Sequence, residues 1–87
     1  MIEIYARDNP PCAYCIAAVN LCEDRGLEYK KLVLGEDFSL EDFTMEFYNA
    51  RTFPQIKKDN KGIGGFDELR TAVIADQVRE SIMDLSI

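Results

Sequence analysis

The sequence predicts an α/β domain with the element order β-α-β-α-β-β-α: a mixed four-stranded sheet with helices on both faces. Three observations carry that prediction. Residues 2–5 and 28–34 alternate between apolar and polar types, as half-buried strands do. Apolar residues recur at helical spacing between and after them. The cluster Asp59-Asn60-Lys61-Gly62 is a turn that folds the chain back into a hairpin ahead of a last amphipathic stretch.

Ile2 and Ile4 mark the first strand, and Arg7 to Pro11 is a polar loop ending in proline. Ala13 to Arg25 reads as a helix, with Ala17, Ala18, Leu21 and Cys22 on one face and Gly26 as its stop. Glu28 to Leu34 is the second strand, broken by Gly35-Glu36-Asp37. Ser39 is a candidate N-cap with Asp42 three residues on. That helix is expected to reach about Asn49, with Leu40, Phe43, Phe47 and Tyr48 inward. Pro54 to Lys57 is a third strand, and the hairpin returns through Ile63. After Gly64-Gly65, Asp67 to Leu85 is a helix with Leu69, Val73, Ile74, Val78, Ile82 and Leu85 as its apolar stripe. The first β-α-β is expected to be a right-handed crossover between parallel strands, and the closing hairpin antiparallel. This is the element order of the thioredoxin fold.

With 87 residues the chain has room for one core, and residues 1–87 are read as a single domain. The formal charge of −6 argues against a basic surface for nucleic acid. Histidine is absent, which excludes Cys-His and Ser-His catalysis and any zinc site that needs histidine. No apolar run approaches the ~18 residues that a membrane span needs. The N-terminus has no basic, then apolar, leader, so a cytoplasmic location is expected.

Chemistry concentrates at Cys12-Ala13-Tyr14-Cys15, where a strand-ending loop meets a helix. Cys12 falls at or near the N-cap, facing backbone N–H groups that lack partners within the helix. Those donors and the helix dipole favour a thiolate, the attacking species in disulfide exchange, so its pKa should fall below that of a free thiol. Cys15, one turn on, is placed to resolve a mixed disulfide. Cys12 is expected to be the exposed nucleophile and Cys15 the more buried partner. A Cys-x-x-Cys pair also occurs in zinc and iron–sulfur sites, but only Cys22 remains as a further thiol, and it sits inside a helix. Cys22 reads as a buried, inert thiol. Lys57, Lys58 and Lys61 read as a solvated hairpin.

Three motifs in this order resemble the glutaredoxin family of dithiol type. Cys12-Ala13-Tyr14-Cys15 is similar to its Cys-Pro-Tyr-Cys. Thr52-Phe53-Pro54-Gln55 is similar to its Thr-Val-Pro element, whose proline is cis. Gly64-Gly65-Phe66-Asp67 is similar to its Gly-Gly-x-Asp element. The short, acidic form resembles the small glutaredoxins carried by bacteriophages. The resemblance implies reduction of protein disulfides and of glutathione mixed disulfides, with glutathione as electron donor and Cys12 and Cys15 as the catalytic pair. It also implies a glutathione site made by Arg7, Tyr14, Arg51, Thr52, Phe53, Pro54, Gly65, Phe66 and Asp67. Arg7 and Arg51 would serve as basic residues, and Phe53 would offer its backbone N–H and C=O. Gly65, Phe66 and Asp67 would hold the γ-glutamyl end. It suggests ribonucleotide reductase among its targets; a monomer with no metal-ligating residues of its own is expected.

The chain departs from the family at Ala13 for proline, at Phe53 for a smaller β-branched residue, and in a longer loop at Asn9-Pro10-Pro11. Three other readings stand beside the leading one. A thioredoxin reduced by a flavoprotein would usually carry tryptophan before Cys-Gly-Pro-Cys, and this chain has neither. A module holding a [2Fe–2S] cluster between two subunits is compatible with the small residue at Ala13. A protein–protein adaptor would need neither cysteine.

Overall fold

A computed structural model describes residues 1–48 and 50–85, with side chains of the last helix described as far as Ala75. The elements are β1 (Ile2–Ala6), α1 (Ala13–Asp24), β2 (Tyr29–Val33), α2 (Leu40–Glu46), β3 (Gln55–Lys58), β4 (Lys61–Gly64) and α3 (Phe66–Leu85). This is the expected order. The sheet runs β2-β1-β3-β4, with β1 and β2 parallel and the pairs β1–β3 and β3–β4 antiparallel. No helix among the described residues is long and apolar enough to cross a membrane.

Alternation along β1 explains the layers, because successive side chains of a strand point to opposite faces. Ile2, Ile4 and Ala6 are buried with Ile56 of β3 against Cys15, Ala18 and Cys22 of α1 and Leu69 and Val73 of α3. Tyr5 points to the other face, where its ring meets Phe38 at 5.2 Å and Phe47 at 4.9 Å. That second face is aromatic, and α2 supplies it with Phe43, which is buried. The hairpin between β3 and β4 turns through Asp59 and Asn60, both at positive φ, as a tight two-residue turn requires.

Three expectations are corrected. α2 does not run to Asn49, a position outside the described residues. Its backbone leaves helical geometry at Phe47, so one turn less is available for burial. Leu40 and Tyr48 are exposed, leaving Phe43 buried and Phe47 half-buried. On α3, Ile74 is exposed, because five residues past Leu69 lies about 140° round the helix. Val78, Ile82 and Leu85 fall beyond the described side chains. Lys57 is not simply solvated: it pairs with Glu46 and lies over the rings of Tyr5 and Phe47.

Candidate active site

Cys12 is the N-cap of α1, in extended backbone conformation. Its sulfur accepts a hydrogen bond from the Cys15 N–H at 3.2 Å, the cap position that serine or aspartate fills elsewhere. Cys12 and Cys15 form a disulfide, with Cα atoms 5.2 Å apart. No acidic residue lies in the first turn of α1, so the positive end of the helix dipole is not offset there. On reduction the same N–H faces a thiolate and favours it. The expected order of burial holds, but an exposed Cys12 does not. Cys12 is 6% exposed and Cys15 2%: the Cys12 sulfur is bonded to Cys15 and lies 3.7 Å from the Phe53 carbonyl oxygen.

That carbonyl belongs to the loop before β3, where the Phe53–Pro54 bond is cis, as the resemblance implies. The Asn9–Pro10 bond is also cis, and no motif in the sequence marks it. Beside the loop lies a groove of about 430 Å³, lined by Tyr14, Thr52, Phe53, Pro54, Gln55, Gly65, Phe66, Asp67 and Glu68. Tyr14 of α1 and Phe66 of α3 approach across it, with ring centroids 5.9 Å apart. A Cβ on Gly65 would lie 3.5 Å from the Pro54 carbonyl oxygen, which shows how closely the start of α3 meets this loop. Gly64 is required more strictly. Its φ is +113°, and a Cβ would come within 2.8 Å of the Glu68 side chain folded against it.

The structure thus brings together Tyr14, Thr52, Phe53, Pro54, Gly65, Phe66 and Asp67 beside the dithiol. Arg7 stands just outside: its guanidinium lies over the Phe53 ring at 5.7 Å, and its Nε–H donates to the Pro10 carbonyl at 3.2 Å. Arg51 is not in the groove. It comes after the end of α2 and lines a neighbouring hollow with Glu46, Phe47 and Tyr48, and Thr52 and Gln55 form the rim between the two. Gln55 is tied to the loop by its Nε2–H bond to the Thr52 carbonyl, 3.0 Å. Glu68 is a groove residue that the sequence motifs do not include. Its carboxylate accepts the Gly65 N–H at 3.0 Å, as an acidic residue at the third helical position does in a capping box. That spacing after the glycine pair is the signal that could have found it.

Cys22 is fully buried, and burial pushes its thiol pKa up, which suits an inert role. Among the described residues no group of three or more His, Cys, Asp or Glu side chains could hold a metal ion.

A family model described as glutaredoxin matches residues 2–63. The hybrid peroxiredoxin hyPrx5 of Haemophilus influenzae is 34% identical over 69 residues, 78% of this chain and 27% of that protein. The chain therefore spans about a quarter of that relative's length. Among solved structures, glutaredoxin 1 from Francisella tularensis, complexed with cacodylate, is similar with a TM-score of 0.70 and 27% identity, covering 91% of this chain and 95% of that one. Reduced glutaredoxin from Escherichia coli is similar with a TM-score of 0.72 and 25% identity, covering 87% and 95%.

Proposed function

The chain belongs to the glutaredoxin family, and from that premise we propose that it reduces protein disulfides and glutathione mixed disulfides with glutathione as electron donor. Thiol–disulfide oxidoreduction is the activity of the family. The finer reading rests on one observation: Cys12 caps α1 under the Cys15 N–H, next to the Phe53 carbonyl and the groove beside it.

The Cys12 thiolate attacks the glutathionyl sulfur of a mixed disulfide, and the target thiolate leaves and takes up a proton. Cys12 now carries glutathione. The thiolate of a second glutathione attacks the glutathionyl sulfur, which frees Cys12 and forms glutathione disulfide. With a protein disulfide, Cys12 attacks one sulfur and Cys15 then displaces the target. This leaves the Cys12–Cys15 disulfide, which two glutathione molecules reduce.

In this reading Tyr14, Thr52, Phe53, Pro54, Gly65, Phe66 and Asp67 hold the glutathionyl group, with Glu68 and Gln55 added. Backbone N–H and C=O of Phe53 align the cysteinyl unit, a strand-like pairing. Asp67 and Glu68 give the start of α3 two carboxylates, which suit an ammonium group. Arg7, across at Phe53, suits a carboxylate. The protein acts as a monomer in the cytoplasm, on disulfide-containing proteins, with ribonucleotide reductase a candidate target.

The test compares donors and thiols. Turnover with glutathione and glutathione reductase, and little with thioredoxin reductase, is expected. Cys12→Ser should abolish all activity. Cys15→Ser should lose protein-disulfide reduction and keep deglutathionylation. Efficient reduction by thioredoxin reductase, or equal loss in both variants with both substrates, refutes the proposal.

A further inference from the structure

Resting on the glutathione reading above, we infer that the Phe53 side chain is a positioning residue: its ring carries the Arg7 guanidinium beside the groove, so that Arg7 reads a carboxylate of the glutathionyl group. Arg7 is the first residue beyond β1 and would ordinarily be a mobile surface cation. Two contacts hold it. Its Nε–H is bound to the Pro10 carbonyl at 3.2 Å, and its Cζ lies 5.7 Å from the Phe53 ring centroid. That is within the ~6 Å over which a ring face attracts a cation. The donors on its terminal nitrogens form the planar fork that matches a carboxylate. Among the described residues no carboxylate pairs with Arg7, although the chain carries 16 Asp and Glu.

The ring beneath Arg7 is itself held. Phe53 stacks on Phe43 with centroids 4.5 Å apart and planes 25° apart. Phe43 is 4% exposed and packs in turn on Phe38 at 5.9 Å. A line of contacts thus runs from the buried aromatic layer, through Phe53, to a cation. The same Phe53 places its carbonyl oxygen 3.7 Å from the Cys12 sulfur. One residue therefore fixes the distance between a carboxylate-reading cation and the reacting thiol. A smaller β-branched side chain at this position has no ring face and could not do this.

Two substrates test it: the mixed disulfide of glutathione with 2-mercaptoethanol, and the same compound esterified at the glycine carboxylate. The readout is the ratio of kcat/KM for the free acid to that for the ester, measured within each variant. The wild-type chain should prefer the free acid. F53L keeps apolar bulk and loses the ring face, and should lower the ratio by about two- to five-fold. F53Y keeps the face and should keep the ratio. R7Q should lower the ratio, and R7Q/F53L should lower it no further, since both changes break one contact. If Phe53 only fills space, F53L slows both substrates alike and leaves the ratio unchanged, which overturns the inference. Loss of the ratio in F53Y overturns it as well. A wild-type chain that turns over both substrates without preferring the acid overturns the inference while the glutathione reading stands. Turnover of neither substrate removes that reading and the inference with it.

Discussion

α1 and α2 begin with the same hydrogen bond and put it to different uses. In each, a backbone N–H three residues on donates to the N-cap side chain: Cys15 to Cys12 Sγ at 3.2 Å, and Asp42 to Ser39 Oγ at 3.0 Å. Both N-caps have extended backbones. The neighbours differ. α2 carries Glu41 and Asp42 in its first turn, and Asp42 returns a carboxylate oxygen to the Ser39 N–H at 3.3 Å. α1 has no acid there. At α2 the positive helix end is answered by fixed carboxylates and serves stability alone. At α1 it is left facing a sulfur, the one cap atom here that can take up charge and lose it again. A structural cap becomes a reactive site through the cap atom and an acid-free first turn.

The largest effect sets the start of α1 against its last turns. Cys12 and Cys22 are both buried, so exposure does not separate them. In the reduced protein Cys12 should react with iodoacetamide quickly, with a midpoint below the ~8.5 of a free thiol. Cys22 should wait for the fold to open. Burial raises the Cys22 thiol pKa, so the fold favours its neutral form. Stability from this is fully present below the unfolded thiol value and is lost as pH rises toward the folded one. Cys22→Ala should therefore flatten the alkaline limb of stability against pH. Equal labelling rates for the two thiols would break the claim that helix position decides reactivity.

A smaller effect tests whether the two caps are independent. Ser39→Ala should lower stability by about 1 kcal/mol, the usual loss for such a cap, read from a denaturant midpoint. The pH midpoint of Cys12 alkylation should stay where it was, because Ser39 serves α2 only. A shift in that midpoint would mean that the helix starts are coupled, through Phe43 and Phe53 for example.

Both helix starts are legible in the sequence, because caps are local: Cys12 and Ser39 stand out by residue type and by the residues one turn after them. The element order and the groove-forming segments are legible too, from alternation, the turn cluster and the three motifs; the sheet order, with β1 between β2 and β3, is seen only in the structure. Features that escape the sequence depend on tertiary placement. Leu40 and Tyr48 fit an inward helical pattern, but Tyr48 falls past the end of α2, and Leu40, at its first position, is exposed. Arg51 lies one residue from a groove residue, yet faces the hollow on the α2 side. The Arg7–Phe53 contact joins the loop after β1 to the loop before β3, and nothing in either segment alone announces it. Cys12 departs from the expected exposure because its sulfur lies between Cys15 and the loop that carries the Phe53 carbonyl.

The smallest effect is the most direct test of the comparison, because one change should favour the oxidised fold and disfavour the reduced thiolate. Ala13 is exposed at the first position of α1. Ala13→Glu gives α1 the acidic first turn that α2 already has. With Cys12 and Cys15 oxidised the sulfurs carry no charge, so the new carboxylate meets only the helix dipole and should stabilise the protein, by ~0.3–1 kcal/mol at low salt. In the reduced protein the same carboxylate stands beside the Cys12 thiolate. Repulsion should raise the alkylation midpoint by a few tenths of a pH unit, since one unit corresponds to about 1.4 kcal/mol. Salt should shrink both changes. Chemical denaturation of the oxidised form and alkylation rate against pH of the reduced form measure the two. If the variant stabilises the oxidised protein and leaves the midpoint unmoved, the helix end is not what activates Cys12. If it destabilises the oxidised protein, the start of α1 does not follow the electrostatic rule that α2 illustrates.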